Sequence, residues 1–315
     1  MVLHNADCLE VMRCMDINSV DAIITDPPYY KVKGEAWDNQ WDTPAKFLAW
    51  VGLLCEQFER ILKPNGSLYF FASPQMAARV ECEIGKRFAV LNSITWRKGG
   101  QGKKSVGWSQ KTEKEALRMW LPETERIIFA EPRGEFGSPL GDAIRAARVR
   151  AGLRGTDVDV ALGYVRSKDP TRGTELCRRW EEGSSIPTAD DYARALAACG
   201  DTRDTEDLRQ EYEDLRRPFS VTARDQWSDV WDFDPVPAYP GKHPCEKPLP
   251  LLCHMLKAST KPGAVVFDPF AGSGSMGEAC NMLGREFIGV ELCPDNYAKA
   301  ARRIEMVKAQ ERLFA

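Results

Sequence analysis

Residues 265–279, "VVFDPFAGSGSMGEA", carry a short apolar strand into Asp268-Pro269-Phe270, then through Gly272, Gly274 and Gly277 directly into a helix. Glycine adopts left-handed backbone conformations without steric cost and lets a ligand or a helix approach closely. A strand, a glycine turn and a helix in immediate succession form the unit of a parallel sheet, whose ligands bind beyond the carboxyl ends of its strands. This constrains the chain to an α/β fold more tightly than any other feature.

The surrounding chain has the same alternation. From about residue 218, "PLPLLCHMLKASTKPG" reads as a helix with a Pro-Gly stop, "AVVFDPF" as a strand and "SMGEACNMLG" as a helix. "EFIGVEL" is then a strand and "PDNYAKAARRIEMVKAQERL" a helix, with Pro294 and Asp295 suited to its first turn. In residues 1–133, "VDAIITDPPY", "GSLYFFAS" and "RIIFAE" read as short buried strands. Between the first two, "PAKFLAWVGLLCEQFERILKPNG" is a helix that Pro-Asn-Gly stops. Residues 134–217 differ: they are rich in Arg, Asp and Ala, show no convincing strand and read as five short helices. The expected organisation is one sheet built from 1–133 and 218–315, interrupted by a helical insertion over 134–217.

Composition narrows the class. At 315 residues and 43% hydrophobic, the chain can bury one large or two modest cores. It has no run of about 18 apolar residues, and "MVLHNADCLEV" lacks the basic and apolar regions of a secretory signal, so the expectation is a cytoplasmic protein with no membrane partner. Ten cysteines without a C-x-x-C pair, and only three histidines, argue against a zinc site and for buried thiols in a reducing compartment. The net charge of −3 conceals a strong asymmetry. Residues 97–111 carry five basic groups and no acid, whereas 181–215 carry eleven acids against three arginines. Such a molecule has one face for an anionic partner, unless the basic loop is merely solvated.

The glycine turn alone does not separate a nicotinamide dinucleotide from S-adenosylmethionine or from a tight structural turn. A second motif does. In "ITDPPYYKV", residues 23–31, a strand runs into an acid, two prolines and two tyrosines. Pro27 and Pro28 have no amide hydrogen, so the strand cannot continue and the turn is stiff. Asp26-Pro27-Pro28-Tyr29 together with Phe270-Ala-Gly272-Ser-Gly274 resembles the signature pair of the amino-group DNA methyltransferases. "NADCLEVMRCMDINSVDAIITDPPY", "ITWRKGG", "ETERIIFAE" and "DVWDFDPVPAYPGKHPCEKPLPLL" extend the resemblance over about 1–133 and 218–315. The order, with the Asp-Pro-Pro-Tyr motif ahead of the glycine turn, is similar to that of the β group. No glycine-turn strand precedes "NADCLEV", so the glycine half of the sheet comes from the C-terminal region, as in a circularly permuted Rossmann-like fold.

The resemblance implies transfer of a methyl group from S-adenosylmethionine, without a metal, to adenine N6 or alternatively cytosine N4 of a base flipped out of double-stranded DNA. An exocyclic amine is a weak nucleophile because its lone pair is delocalised into the ring. Asp26 and the Pro27 carbonyl can accept its two N–H bonds on a backbone held by Pro28, and Tyr29 offers a face for the base. Cofactor contacts are implied for Asp7 and Cys8 on the adenine side, Asp26 at the methionine amino group, and Asp268, Phe270, Gly272, Ser273 and Gly274 at the turn. Glu291 is implied for the ribose, and His243, Pro244 and Lys247 of "HPCEKP" flank the methionine. Asp7 also suits the N-cap of "CLEVMRCM", and Lys247 a solvated surface. Cys245 follows a proline, as in cytosine C5 enzymes, but lies before a helix and upstream of the glycine turn.

Within the insertion, residues 139–200 resemble the helix-turn-helix domain of phage-repressor-type regulators, with "CRRWEEG" followed by "PTADDYARALA". The link "YVRSKDPTRG" is longer than the usual tight turn. A helix from about Thr174 to Glu181 would enter a major groove, with Thr174, Glu175, Arg178 and Arg179 as candidate contacts. Arg166, Lys168 and Arg172 would touch backbone or minor groove, and Trp180 reads as core. Lys103, Lys104 and Lys111 suit a phosphate-contacting loop, and Lys31 and Lys33, just after the stiff turn, would help hold the DNA strand from which a base is flipped, a disordered loop being the alternative. A DNA-binding regulator with an inactive methyltransferase core is the competing reading. The resemblance admits a homodimer, and no nuclease motif is evident, which fits a solitary enzyme.

Overall fold

The computed structural model describes residues 1–32, 34, 36–98, 120, 123–134, 138–166, 169–221 and 227–314. Lys33, Lys103, Lys104, Lys111 and Lys168 therefore lie outside the described residues. The chain divides into two compact units, Met1–Pro132 with Pro218–Ala315, and Arg133–Arg217.

The first unit begins with β1 (Val2–His4), α1 (Cys8–Cys14), β2 (Val20–Thr25), α2 (Pro44–Ile61), β3 (Leu62–Ala72), α3 (Ala77–Ile84), β4 (Phe88–Lys98) and β5 (Thr124–Pro132). The second unit contains, among the described residues, α4 (Pro139–Arg150), α5 (Gly155–Leu162), β6 (Val165–Arg166) and β7 (Asp169–Gly173). It continues with α6 (Leu176–Glu181), α7 (Ala189–Ala198) and α8 (Thr205–Leu215). The first unit then resumes with β8 (Val230–Phe233), α9 (Leu249–Ser259), β9 (Val265–Asp268), α10 (Ser275–Met282), β10 (Glu286–Val290) and α11 (Pro294–Phe314).

Its sheet runs β1-β10-β9-β2-β3-β5-β4-β8, parallel throughout except for β5. The α/β class is as expected, and the two halves meet where β2 pairs with β9, Ala22 opposite Val266 and Ile23 opposite Phe267. From this pair the order proceeds outward in both directions, to β3 on one side and β10 on the other. Such a switch point opens a crevice at the carboxyl ends of the two central strands. Asp21 reinforces the junction, accepting from the Val265 amide at 2.8 Å and pairing with Lys63 at 2.7 Å. Neighbouring strand residues point to opposite faces. Ile23, Leu68 and Phe70 therefore pack with Val51, Leu54 and Phe58 of α2, and Ile24, Tyr69 and Phe71 with Leu251, Met255 and Met276 of α9 and α10.

Several elements depart from the sequence reading. A strand does precede Asn5: Val2–His4 pairs with Ile288–Val290 at the sheet edge, though the glycine turn still follows β9. Pro64-Asn65-Gly66 does not end α2 but lies in the first part of β3, where the register against β2 shifts between Val20 and Ala22. β4 and β8 were not anticipated. β4 has a largely exposed centre, and β8 is a four-residue edge strand fixed by Arg97, which meets Asp232 through two contacts of 2.6 Å.

The second unit has a core of Leu140, Ile144, Val158, Leu162, Trp180, Tyr192 and Leu196, so Trp180 is a core residue as expected. The link after α5 is not a loop between helices but the β6–β7 hairpin. α6 starts at Leu176, leaving Thr174 and Glu175 outside the helix, with Glu175 in a left-handed conformation at φ 67°. The cause is Asp159, a buried carboxylate that accepts from the amides of Leu176 at 3.1 Å and Cys177 at 2.8 Å and so fixes where the turn begins.

Candidate active site

Asp26-Pro27-Pro28-Tyr29 leaves the carboxyl end of β2, and Asp268-Pro269-Phe270 leaves that of β9. Both border one cavity of about 1510 Å³, also lined by Asp7, Cys8, His243, Lys247 and Glu291. Sequence-distant candidates from both halves thus converge on one space.

The cavity lining includes an ion cluster. The Asp26 carboxylate accepts from the Tyr29 hydroxyl at 2.8 Å through Oδ1 and from the Lys247 ammonium through Oδ2. Lys247 also lies 3.4 Å from Glu125, and Glu125 pairs with Lys98. The Tyr29 Oη is 3.2 Å from Glu125 Oε2, so its single proton serves two carboxylates. Lys247 is 8% exposed, which rules out the solvated-surface reading. Burial raises the pKa of Asp26, Lys247 opposes it and Glu125 adds to it, and the net direction is upward. For Glu125 burial also acts upward, but Lys247 and Lys98 bring it down to about 2. Two neighbouring carboxylates are thereby made unequal, Glu125 the firmer anion and Asp26 the more basic.

The glycine turn is held from the opposite side. Gly272 and Gly274 have φ of 50° and 76°. A Cβ on Gly274 would meet Ala300 Cα at 2.9 Å, and one on Gly272 would meet the His243 ring at 3.2 Å. Glu291 accepts from the Gly272 amide at 2.9 Å and the Cys293 amide at 2.9 Å, so it shapes the turn as well as lining the cavity. The His243 ring stacks on Trp37, centroids 6.2 Å apart, and burial lowers its pKa. Asp7 is the N-cap of α1, accepting from the Leu9 amide at 2.8 Å, and it also lines the cavity. Cys8 and Pro244 border the same space. Lys31 sits at the cavity at φ 53°, its amide donating to the Asp38 carbonyl.

Sequence reasoning named none of Glu125, Lys98 and Asp38 as a site residue. Asp38 accepts from the Tyr29 amide at 2.7 Å and so fixes the turn after Pro28. The signal for Glu125 was its place at the head of the "RIIFAE" strand, which brings it opposite Trp96 of β4. In the second unit, Arg172 and Arg179 are exposed, and Arg166 and Arg178 form exposed pairs with Glu175 at 3.2 and 3.6 Å. Such pairs yield readily to another anion.

Residues 20–302 match a family model described as DNA methylase, of the N6/N4 methyltransferase group. The chain belongs to this family of DNA methylases. The methylase is 25% identical over 316 residues to the DNA adenine methyltransferase YhdJ of Escherichia coli K12, covering 97% of this chain and 82% of that one. It is also 25% identical over 324 residues to the type II methyltransferase M2.DpnII of Streptococcus pneumoniae, covering 96% and 88%. Its fold is like that of the cytosine-N4-specific PvuII DNA methyltransferase, with a TM-score of 0.55 at 14% identity over 98% and 89% of the chains. The M1.HpyAVI complex with SAM is similar at a TM-score of 0.52 and 18% identity, over 96% and 98%.

The buried Asp268 carboxyl is expected to make the stability of this methylase depend on pH. Burial, with Asp26 and Glu291 adding to it, raises its pKa to about 7, although the Phe270 amide donates to its Oδ1 at 3.0 Å. A carboxyl raised on folding is stabilising in its protonated form, and that contribution is lost as pH rises from about 4 to about 7. Asp268→Asn keeps the acceptor and abolishes the ionisation. It is expected to raise the melting temperature of the ligand-free protein at pH 8, with the gain shrinking toward pH 4. A gain independent of pH would contradict the assignment.

Proposed function

We propose that the chain transfers a methyl group from S-adenosylmethionine to the N6 amino group of adenine in duplex DNA, with the target base turned out of the helix. The observation that carries this reading is the convergence of Asp26-Pro27-Pro28-Tyr29 and the Phe270–Gly274 turn on one cavity. The name of the relative YhdJ, a DNA adenine methyltransferase, supports adenine.

The residues fit this cofactor. The turn presents bare backbone at Gly272, and Asp7, Asp26, Asp268 and Glu291 place acidic groups around the cavity, which suits a ligand bearing a sulfonium and an ammonium. Phe270, Gly272, Ser273 and Gly274 would hold its middle, Glu291 the ribose, Asp7 and Cys8 the adenine, and Asp26, His243, Pro244 and Lys247 the methionine end. When bound, it supplies a methyl group activated by the sulfonium. The chain's own part is placement of the acceptor amine. Among the described residues, Asp26 accepts one hydrogen bond at each carboxylate oxygen, which leaves lone pairs for an amine N–H. The Pro27 carbonyl accepts the second N–H, which favours a pyramidal nitrogen with its lone pair freed. Tyr29, anchored through both its hydroxyl and its amide, offers a fixed ring to the base. Cytosine N4 carries the same two donors, so the product decides between them. Unmethylated genomic DNA incubated with the protein and S-adenosylmethionine, digested and analysed by mass spectrometry, is expected to yield N6-methyldeoxyadenosine. N4-methyldeoxycytidine would overturn the base assignment, and no methylated nucleoside the whole reading.

The second unit is proposed as the part that reads DNA, through Arg178 and Arg179 of α6, Arg166 and Arg172 of the hairpin, and Thr174 and Glu175 between them. Residues 141–180 carry nine basic side chains against five acids. Each phosphate contact adds about 0.9 to the slope of log affinity against log salt. Arg178→Ala with Arg179→Ala is expected to weaken binding to the target duplex and flatten that slope by about 2. An unchanged slope places the contacts elsewhere.

A further inference from the structure

Glu125 stands on β5 opposite Trp96, and this register sets its carboxylate between two lysines, Lys98 at the end of β4 and Lys247 just before α9. The charges alternate: Lys98, Glu125, Lys247, Asp26. Side-chain exposure is 13% for Glu125, 8% for Lys247 and 18% for Asp26, but 35% for Lys98, so the series runs from a half-exposed end into the cavity. Burying a lone ammonium beside a lone carboxylate invites the closest pairing the two can form, because nothing else solvates either of them. With a second carboxylate present, Lys247 is shared, and the Tyr29 proton is shared as well.

Resting on the methyltransferase reading above, we propose that Glu125 is a positioning residue for methyl transfer. It holds the Lys247 ammonium and the Tyr29 hydroxyl so that Asp26 keeps a free, ionisable carboxylate edge toward the acceptor amine. Four groups face Asp26: Tyr29 on its own turn, Lys247 ahead of α9, Glu125 on β5 and Asp268 after β9, with Lys98 of β4 acting through Glu125. Removing the Glu125 charge leaves Lys247 to Asp26 alone. The carboxylate is then engaged more tightly and ionises at lower pH, so the acid limb of the rate profile moves to lower pH while transfer slows.

The test compares wild type, Glu125→Gln, Glu125→Asp, Asp26→Asn and the Asp26→Asn/Glu125→Gln pair. Methyl transfer to duplex DNA is measured across pH, and thermal unfolding is followed over the same range. Glu125→Gln is expected to lower kcat at least about tenfold, to leave KM for DNA within about twofold, and to shift the acid limb downward. Glu125→Asp, which keeps the charge, is expected to recover part of kcat and the original limb. In unfolding, the Asp26 and Glu125 substitutions are expected to be non-additive, with a pH dependence in their coupling. Wild-type kcat with an unmoved limb in Glu125→Gln, or additive melting at every pH, would overturn the proposal. A wild type that transfers no methyl to DNA would refute the functional reading, and the melting cycle would then decide the role of Glu125 alone.

Discussion

The pairing of β2 with β9 is the contact on which the first unit depends. It joins strands some 244 residues apart in the chain, and the Asp21 carboxylate stitches it from the side through the Val265 amide. Both motifs named in the sequence lie just past this pair. The stiff turn after Thr25 and the glycine turn after Asp268 face one cavity because their strands are parallel neighbours and their chains depart to opposite sides. If the pairing failed, two half-sites would remain, neither with a crevice.

Buried charge then defines the site. Removing four ionised side chains from water is costly, and only close, alternating pairing offsets it. Lys247 satisfies both Asp26 and Glu125, Lys98 satisfies Glu125 from the more exposed end, and the Tyr29 hydroxyl bridges the two acids. The outcome is an asymmetry between the carboxylates, with basicity retained at Asp26, the one that follows the central strand. Glu291 works differently: one oxygen accepts from the Gly272 amide of the opposite turn, where φ is 50°, and the other from the amide of Cys293 just after it.

Local chemistry made much of this legible in the sequence. β2, β3, β9, β10 and the flanking helices carry apolar periodicity over enough residues to identify, and Pro27, Pro28, Gly272 and Gly274 mark turns by their own backbone constraints. The elements that escaped are those whose stability comes from elsewhere. β8 has four residues and is held by Arg97–Asp232, the β6–β7 hairpin is two and five residues long, and α6 begins where Asp159, seventeen residues earlier, supplies acceptors for its first amides. Lys247 left two readings open because a lysine between prolines declares neither burial nor partner. Glu125 went unnamed because its role exists only once β4 and β5 are in register.

In the proposed reaction Asp26 presents the acceptor amine for methylation beside the bound cofactor. The most direct measurement is single-turnover methyl transfer by Asp26→Ala beside wild type, with duplex binding and folding verified for both. The expected result is a variant that folds and binds DNA yet transfers no detectable methyl group. Transfer at near wild-type rate would contradict the assignment of this cavity as the site of the chemistry.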